Sequence, residues 1–192
     1  MTAEREKRLK DVIQKRQFDI TVVLENVWDP HNVSAVLRSC DAIGIQEVYI
    51  ISPKDKKESK LGKKSSASAS KWLTIHHFND VSGCFEILRK RYAKIYSTRL
   101  SQDAETLYTL DFTQSLALVF GNEKDGVSEK AAALSDGNFL IPQVGMIQSL
   151  NISVACAVTL YECYRQRSSA RMYDSAVENP ERKDLLRQWM SR

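Results

Sequence analysis

The stretch ITVVLENVWDPHNVSAVLRSCDAIGIQEVYII, residues 20–51, reads as a complete strand–helix–strand unit. Ile20–Glu25 is a short run of β-branched and apolar residues, and Val48–Ile51 is apolar throughout, as in a strand buried on both faces. Between them Asp29–Pro30 breaks the chain. Residues 32–43 then place Val33, Val36, Leu37 and Cys40 on one side of a helix, which Gly44 ends. A strand, a helix and a second strand within about 30 residues make a βαβ unit, which commits the chain to parallel pairing.

The alternation continues outward. Residues 3–17 predict a helix with a thin apolar stripe of Leu9, Val12 and Ile13. Downstream, strands are predicted at Trp72–His76, Ala93–Thr98, Leu116–Phe120 and ending at Phe139–Pro142. Helices are predicted at 80–91, Ser128–Leu134 (Ser128 as N-cap), Ser149–Gln166 and 180–191, the last starting at Pro180. In the long helix Leu150, Val154, Ala157, Val158 and Tyr161 are expected to face inward. The fold class is therefore α/β, a mainly parallel sheet with helices on both faces. The expected organisation is an N-terminal basic helix (1–18), one domain (19–167), and a C-terminal linker and basic helix (168–192, with 168–178 linker-like). In such sheets ligands sit beyond the carboxyl ends of the strands.

The 192 residues are 43% apolar and 27% charged, ordinary for a globular chain. No apolar run approaches the ~20 residues that span a bilayer. The charged N-terminus MTAEREKRLKDVIQKR has no signal-peptide core, so a cytoplasmic location is expected, with no membrane partner. Cys40, Cys84, Cys156 and Cys163 are scattered, with no metal-ligand spacing, and read as buried, reduced thiols. His31, His76 and His77 suggest no zinc site, so no metal is expected. The net charge of +4 is segregated. Residues 1–16 carry a net +3, residues 54–71 +5 and residues 165–192 +3, which leaves −7 for the rest. Basic ends and a basic loop around an acidic body suit a polyanion, although charge runs also serve simply as solvated faces.

Three segments at strand ends carry residues that packing alone does not require. In NVSAVLRSCDA (32–42), Ser34, Arg38 and Asp41 fall near one helical face with Asn32 at the helix start. Asn32 can be a simple N-cap. Arg38 can be a surface charge paired with Asp41 or Glu25, or a fixed fork for a phosphate or ribose oxygen. In FGNEKDGVS (120–128), Gly121 and Gly126 permit close backbone approach, and Glu123 stands at a strand tip. Turn chemistry alone can also produce that loop. In IPQVGMIQSLNIS (141–153), Ser149 opens a helix whose free amides suit a ligand or phosphate, or is an ordinary cap. Neither a G-x-G-x-x-G nor a P-loop fingerprint is present.

Taken together, in this order and spacing, the three segments resemble the signature motifs of the SpoU/TrmH family of SPOUT-class RNA 2'-O-methyltransferases, over roughly residues 20–167. The leader around residues 24–44 and the short basic end helices look most like the TrmH branch, which methylates a D-loop guanosine ribose (position 18) in tRNA. The resemblance implies a C-terminal deep trefoil knot formed by about residues 93–167, a homodimer, and S-adenosyl-L-methionine as cofactor. It also implies cofactor contacts at Thr98, Gly121, Ile141 and Leu150, largely through backbone. Arg38 would contact the attacking hydroxyl and act as its base. A physically easier version has Arg38 bind phosphate and stabilise the developing alkoxide, with the proton passing to phosphate or water, because arginine stays protonated in proteins. Asn32 and Glu123 would orient Arg38, and Ser149 and Asn151 would hold the ribose. Gln143 departs from the Met more usual in the family and is expected to change a pocket contact. The expected RNA partner is tRNA, with ribosomal RNA or a non-catalytic RNA-binding role as alternatives. The end helices and the Lys54–Lys71 loop are the expected contacts to RNA phosphates.

Overall fold

The computed structural model describes residues 2–53, 69–99, 101, 103–174 and 179–191. In chain order the elements are α1 (Ala3–Gln14), β1 (Gln17–Glu25), α2 (Pro30–Ile43), β2 (Ile45–Ile51), β3 (Thr74–Phe78), α3 (Val81–Arg91), β4 (Lys94–Thr98), β5 (Glu105–Thr106), β6 (Leu116–Phe120), α4 (Glu129–Leu134), β7 (Gly137–Leu140), α5 (Ile152–Ser169) and α6 (Pro180–Met190). One turn of 3-10 helix, Leu107–Thr109, follows β5. Most of the basic 54–71 stretch, residues 54–68, lies outside the described residues.

Seven strands pair in the order β3-β2-β1-β6-β4-β7-β5, and every pairing is parallel. Side chains alternate across the sheet with the two-residue period of a strand. Val22, Leu24, Val48 and Leu118 face α2 and α5, packing on Val36, Leu37, Cys156 and Leu160. Val23, Tyr49, Ala117 and Val119 face the opposite layer, where Cys84, Phe85 and Leu88 of α3 and Ala131 of α4 cover them. The end helices form a third cluster. Leu9 and Ile13 of α1 meet Leu185 and Trp189 of α6, with Trp72 edge-on to Trp189 at 5.0 Å.

Local chemistry sets the boundaries of α2. Asp29 is its N-cap and accepts from the His31 N–H at 2.8 Å, Pro30 occupies the first turn, and Gly44 closes it at φ +88°. A Cβ on Gly44 would stand 2.6 Å from the Lys15 carbonyl oxygen, so close approach and handedness both demand glycine there. Asn32 therefore lies inside the helix and does not cap it. The capping expectation fails because the Asp-Pro pair upstream provides both a better-placed acceptor and a preset φ.

Other expectations are corrected as well. The long helix starts at Ile152, with Asn151 and not Ser149 as its cap. Its buried stripe is Ile152, Cys156, Thr159, Leu160 and Cys163, whereas Val154, Val158 and Tyr161 are exposed and Ala157 is half-buried. The helix is apolar on both sides, so periodicity could not choose the inner one. Val12 of α1 is likewise exposed. The segment after α5 is bound to the body at its start: the Tyr173 hydroxyl donates to the Ile43 carbonyl at 2.8 Å. The short edge strand β5 had no sequence signal. All four cysteines are buried and free. Among the described residues, no helix is long and apolar enough to cross a membrane.

Candidate active site

The carboxyl ends of the neighbouring strands β6, β4 and β7 open into one cleft of about 510 Å³, within the usual range for small-molecule sites. Thr98 closes β4, Gly121 follows β6, and Ile141 follows β7; all three line the cleft, as does Leu150 from the loop before α5. Phe120, Phe139 and Ile152 give it an apolar floor, and Gln143, Gln148, Ser149 and Glu123 contribute polar groups.

The 121–126 loop is folded on itself. Asn122 and Gly126 exchange backbone hydrogen bonds at 3.1 and 2.8 Å, and Asn122 Oδ1 accepts from the Lys124 and Asp125 N–H groups. Asn122 Nδ2 donates to the Asn26 carbonyl at 2.8 Å, and Glu25 accepts from the Ser128 N–H at 2.9 Å, which ties the loop to the end of β1. Gly126 sits at φ +68°, and a Cβ on Gly121 would meet the Gly126 carbonyl carbon at 2.1 Å. The two glycines are requirements of this closed loop, whose outermost point presents Glu123.

Three elements distant in sequence then meet. Asn32 Nδ2 of α2 donates to Glu123 Oε1 at 2.6 Å, and Asn151 Nδ2 donates to Asn32 Oδ1 at 3.2 Å. Asn151 Oδ1 in turn accepts from the backbone N–H of Ser153 at 2.8 Å and from its hydroxyl at 2.6 Å. Asn32, Glu123 and Asn151 thus form one hydrogen-bonded group at the rim of the cleft. Ser149 lines the cleft but makes no hydrogen bond to this group.

Arg38 stands apart from them. It is exposed and has no hydrogen bond or ion pair among the described residues. Both of its expected surface partners are engaged elsewhere: Asp41 with the Arg16 guanidinium and Glu25 with the Ser128 N–H. Ser34, expected on the same face, is buried. Arg38 follows Asn32 by six residues, about 9 Å along the helix at ~1.5 Å per residue. Within one chain Asn32 and Glu123 bind each other and do not hold Arg38.

Ser153 was missed as a member of the group, although Asn-x-Ser at a helix start is the signature of an asparagine cap reaching the second helical N–H. Arg99, which clamps Glu129 across the cleft mouth, had no sequence signal.

The model of the SpoU rRNA Methylase family matches residues 19–161. The tRNA (guanosine(18)-2'-O)-methyltransferase of Thermus thermophilus is 42% identical over 98% of this chain and 97% of its own length. The crystal structure of the TrmH/SpoU tRNA modifying enzyme of A. aeolicus superposes with a TM-score of 0.88 at 35% identity, covering 97% of this chain and 94% of that one. The SpoU methyltransferase AviRb of Streptomyces viridochromogenes, solved in complex with the cofactor AdoMet, matches with a TM-score of 0.70 at 26% identity, over 80% of this chain and 60% of that one.

Proposed function

The chain belongs to the SpoU rRNA methylase family, and from that premise we propose that it methylates the ribose 2'-hydroxyl of guanosine 18 in tRNA with S-adenosylmethionine. The observation that carries the substrate is the likeness to a guanosine-18 tRNA enzyme along nearly the whole chain, end helices included. The cleft supports the cofactor. Its volume suits a nucleoside-sized ligand, its floor is apolar, and the loops after β4, β6 and β7 all line it. Thr98, Gly121, Ile141 and Leu150 would hold it, largely through main chain. When bound, the cofactor supplies an electrophilic methyl group on a sulfonium.

The chain's own residues bring the ribose to that methyl, and orientation of two reactants can supply several kcal/mol. Arg38 stays protonated, so its role is to take an RNA phosphate and to stabilise negative charge growing on the 2'-oxygen. Its lack of any internal partner leaves its donors available for that. Asn32, Ser149 and Asn151 hold the ribose at the rim. A homodimer is part of the same reading: Val154, Val158 and Tyr161 of α5 form an exposed apolar face beside the cleft-lining start of that helix. The deep knot over residues 93–167 is also proposed. Its support is the strand order, with β7 beyond β4 while the following helix α5 returns to pack on α2. A cytoplasmic location follows from tRNA as the substrate.

The test is methyl transfer from labelled S-adenosylmethionine to unmodified tRNA and to ribosomal RNA fragments, with the methylated nucleotide mapped. Label on the guanosine-18 ribose is expected. Arg38→Ala should abolish turnover and leave calorimetric cofactor affinity within about threefold. Label confined to ribosomal RNA would overturn the substrate, and full activity in Arg38→Ala would overturn that residue's role.

A further inference from the structure

The hydrogen-bonded group at the cleft rim has a direction. A backbone N–H can only donate, so the Ser153 N–H fixes Asn151 Oδ1 as an acceptor, and the Ser153 hydroxyl adds a second donor to the same atom. Asn151 must then present its NH₂ to Asn32, whose oxygen accepts. Asn32 must in turn present its own NH₂ to Glu123 Oε1. Each step leaves the next with one possible orientation, and the chain ends on a carboxylate. Glu123 Oε2 receives no hydrogen bond or ion pair among the described residues, and Glu123 lines the cofactor cleft. The result is an anchored carboxylate with one oxygen held and the other without a partner among the described residues, on a side chain that lines the cleft.

Resting on the reading above, we propose that Glu123 accepts the ribose 2'-proton during methyl transfer, with Ser153 as the positioning residue that sets the orientation of the Asn151–Asn32–Glu123 chain. In the step, an O2' lone pair forms the bond to the methyl carbon. The carbon–sulfur bond breaks with its electron pair going to sulfur, and the O2' proton passes to Glu123 Oε2, from which solvent removes it. The protonated guanidinium of Arg38 cannot take that proton, whereas a carboxylate can, and the 2'-hydroxyl becomes strongly acidic as its oxygen bonds to the methyl carbon. Asn32 donating to the other oxygen keeps the carboxylate aimed and cannot itself compete for the proton.

Glu123→Gln preserves shape but offers an amide where the acceptor stood. Single-turnover methyl transfer should fall about 10²- to 10⁴-fold, the range of general base catalysis. Calorimetric affinities for S-adenosylmethionine and tRNA should stay within about threefold. In Glu123→Ala, added formate should restore a measurable part of the rate by supplying a carboxylate to the vacated space. Ser153→Ala keeps the backbone N–H that fixes Asn151 Oδ1 and removes only the second donor, so kcat should fall by no more than about threefold with KM for the cofactor unchanged. It should also shift the Asn32 side-chain amide resonances in nitrogen–proton spectra, and Ser153→Thr should reverse both effects. Transfer by Glu123→Gln within threefold of the unsubstituted protein, or no formate rescue with both affinities intact, would overturn the assignment to Glu123. Absence of transfer from the unsubstituted protein to any tRNA would instead count against the substrate reading itself.

Discussion

At the scale of single residues, the site is built from positions whose alternatives are sterically or electrically closed. Gly121 is the sharpest case. A Cβ there would lie 2.1 Å from the Gly126 carbonyl carbon and 2.2 Å from the Val127 nitrogen, so alanine must open the loop that carries Glu123 and walls the cleft. Gly145, on the loop after β7, has nothing within 4 Å of the equivalent position. Calorimetry with S-adenosylmethionine should show Gly121→Ala losing at least about tenfold in affinity and Gly145→Ala retaining it. Equal affinities in the two would mean that the closed 121–126 loop is not needed for binding. The three motif segments were legible in the sequence because glycine, amide and carboxylate residues cluster at strand ends where no core requires them. The hydrogen bonds between them were not legible. Asn32 and Asn151 are 119 positions apart, and each could have capped a helix on its own; only one of them does.

At the scale of elements, α5 shows how a helix can be predicted in existence and misread in orientation. Both of its faces are apolar, so the inner stripe was settled by its partners α2 and the sheet, not by its own pattern. Its end is fixed by a residue the pattern could not weigh. Arg167 is fully buried, and its guanidinium donates to the Phe112 carbonyl at 2.8 Å, the Gln114 carbonyl at 2.8 Å, Gln17 Oε1 at 2.9 Å and Asp19 Oδ1 at 2.7 Å. One side chain thus ties α5 to β1 and to the loop before β6. Arg167→Ala would leave the Phe112 carbonyl and Gln17 Oε1, both on buried residues, without that donor, whereas the half-exposed Asp19 can turn to water; the loss is about 1–3 kcal/mol. Chemical denaturation should show it as a lower midpoint at unchanged slope, and a change below ~1 kcal/mol would remove Arg167 from this role.

A second junction predicts a pH response. Asp136, just before β7, accepts from the Ile95 N–H at 2.7 Å and from the Arg89 guanidinium. Burial pushes its carboxyl up, but the Arg89 pair and the Ile95 N–H outweigh burial and hold it below the usual carboxylate range. A group whose pKa is lowered by folding stabilises the protein above its unfolded pKa of ~3.9 and loses that contribution as pH falls through the lower folded value. Thermal unfolding midpoints should therefore drop from about pH 5 toward pH 3 more steeply in the unsubstituted protein than in Asp136→Asn. Parallel pH curves would show that this junction contributes nothing.

At the scale of the whole molecule, the two basic ends of the sequence meet away from the cleft. The cleft lies at the carboxyl ends of the strands, whereas α1 leads directly into the start of β1, and α6 packs on α1. The nine-residue β1 spans about 30 Å at ~3.3 Å per residue, so a ligand that touches both regions must be long. The pairing of α1 with α6 was not legible, since two short helices at opposite chain ends give no periodic sign of each other; the basic bias of both ends was. On α1, Lys10 is already paired with Glu6, which leaves Arg5, Lys7 and Arg8 exposed for phosphate contacts. If they make them, tRNA affinity falls linearly on a log–log plot against salt, with about 0.9 of slope for each neutralised phosphate of a duplex. Replacing all three by alanine should reduce that slope by about 2–3 and weaken tRNA binding most at low salt. Cofactor affinity should be unchanged, because the cleft is a sheet's length away. A slope identical to that of the unsubstituted protein would place α1 outside the RNA footprint and leave its charge as a solvated face; the contact would then have to come from the other basic segments.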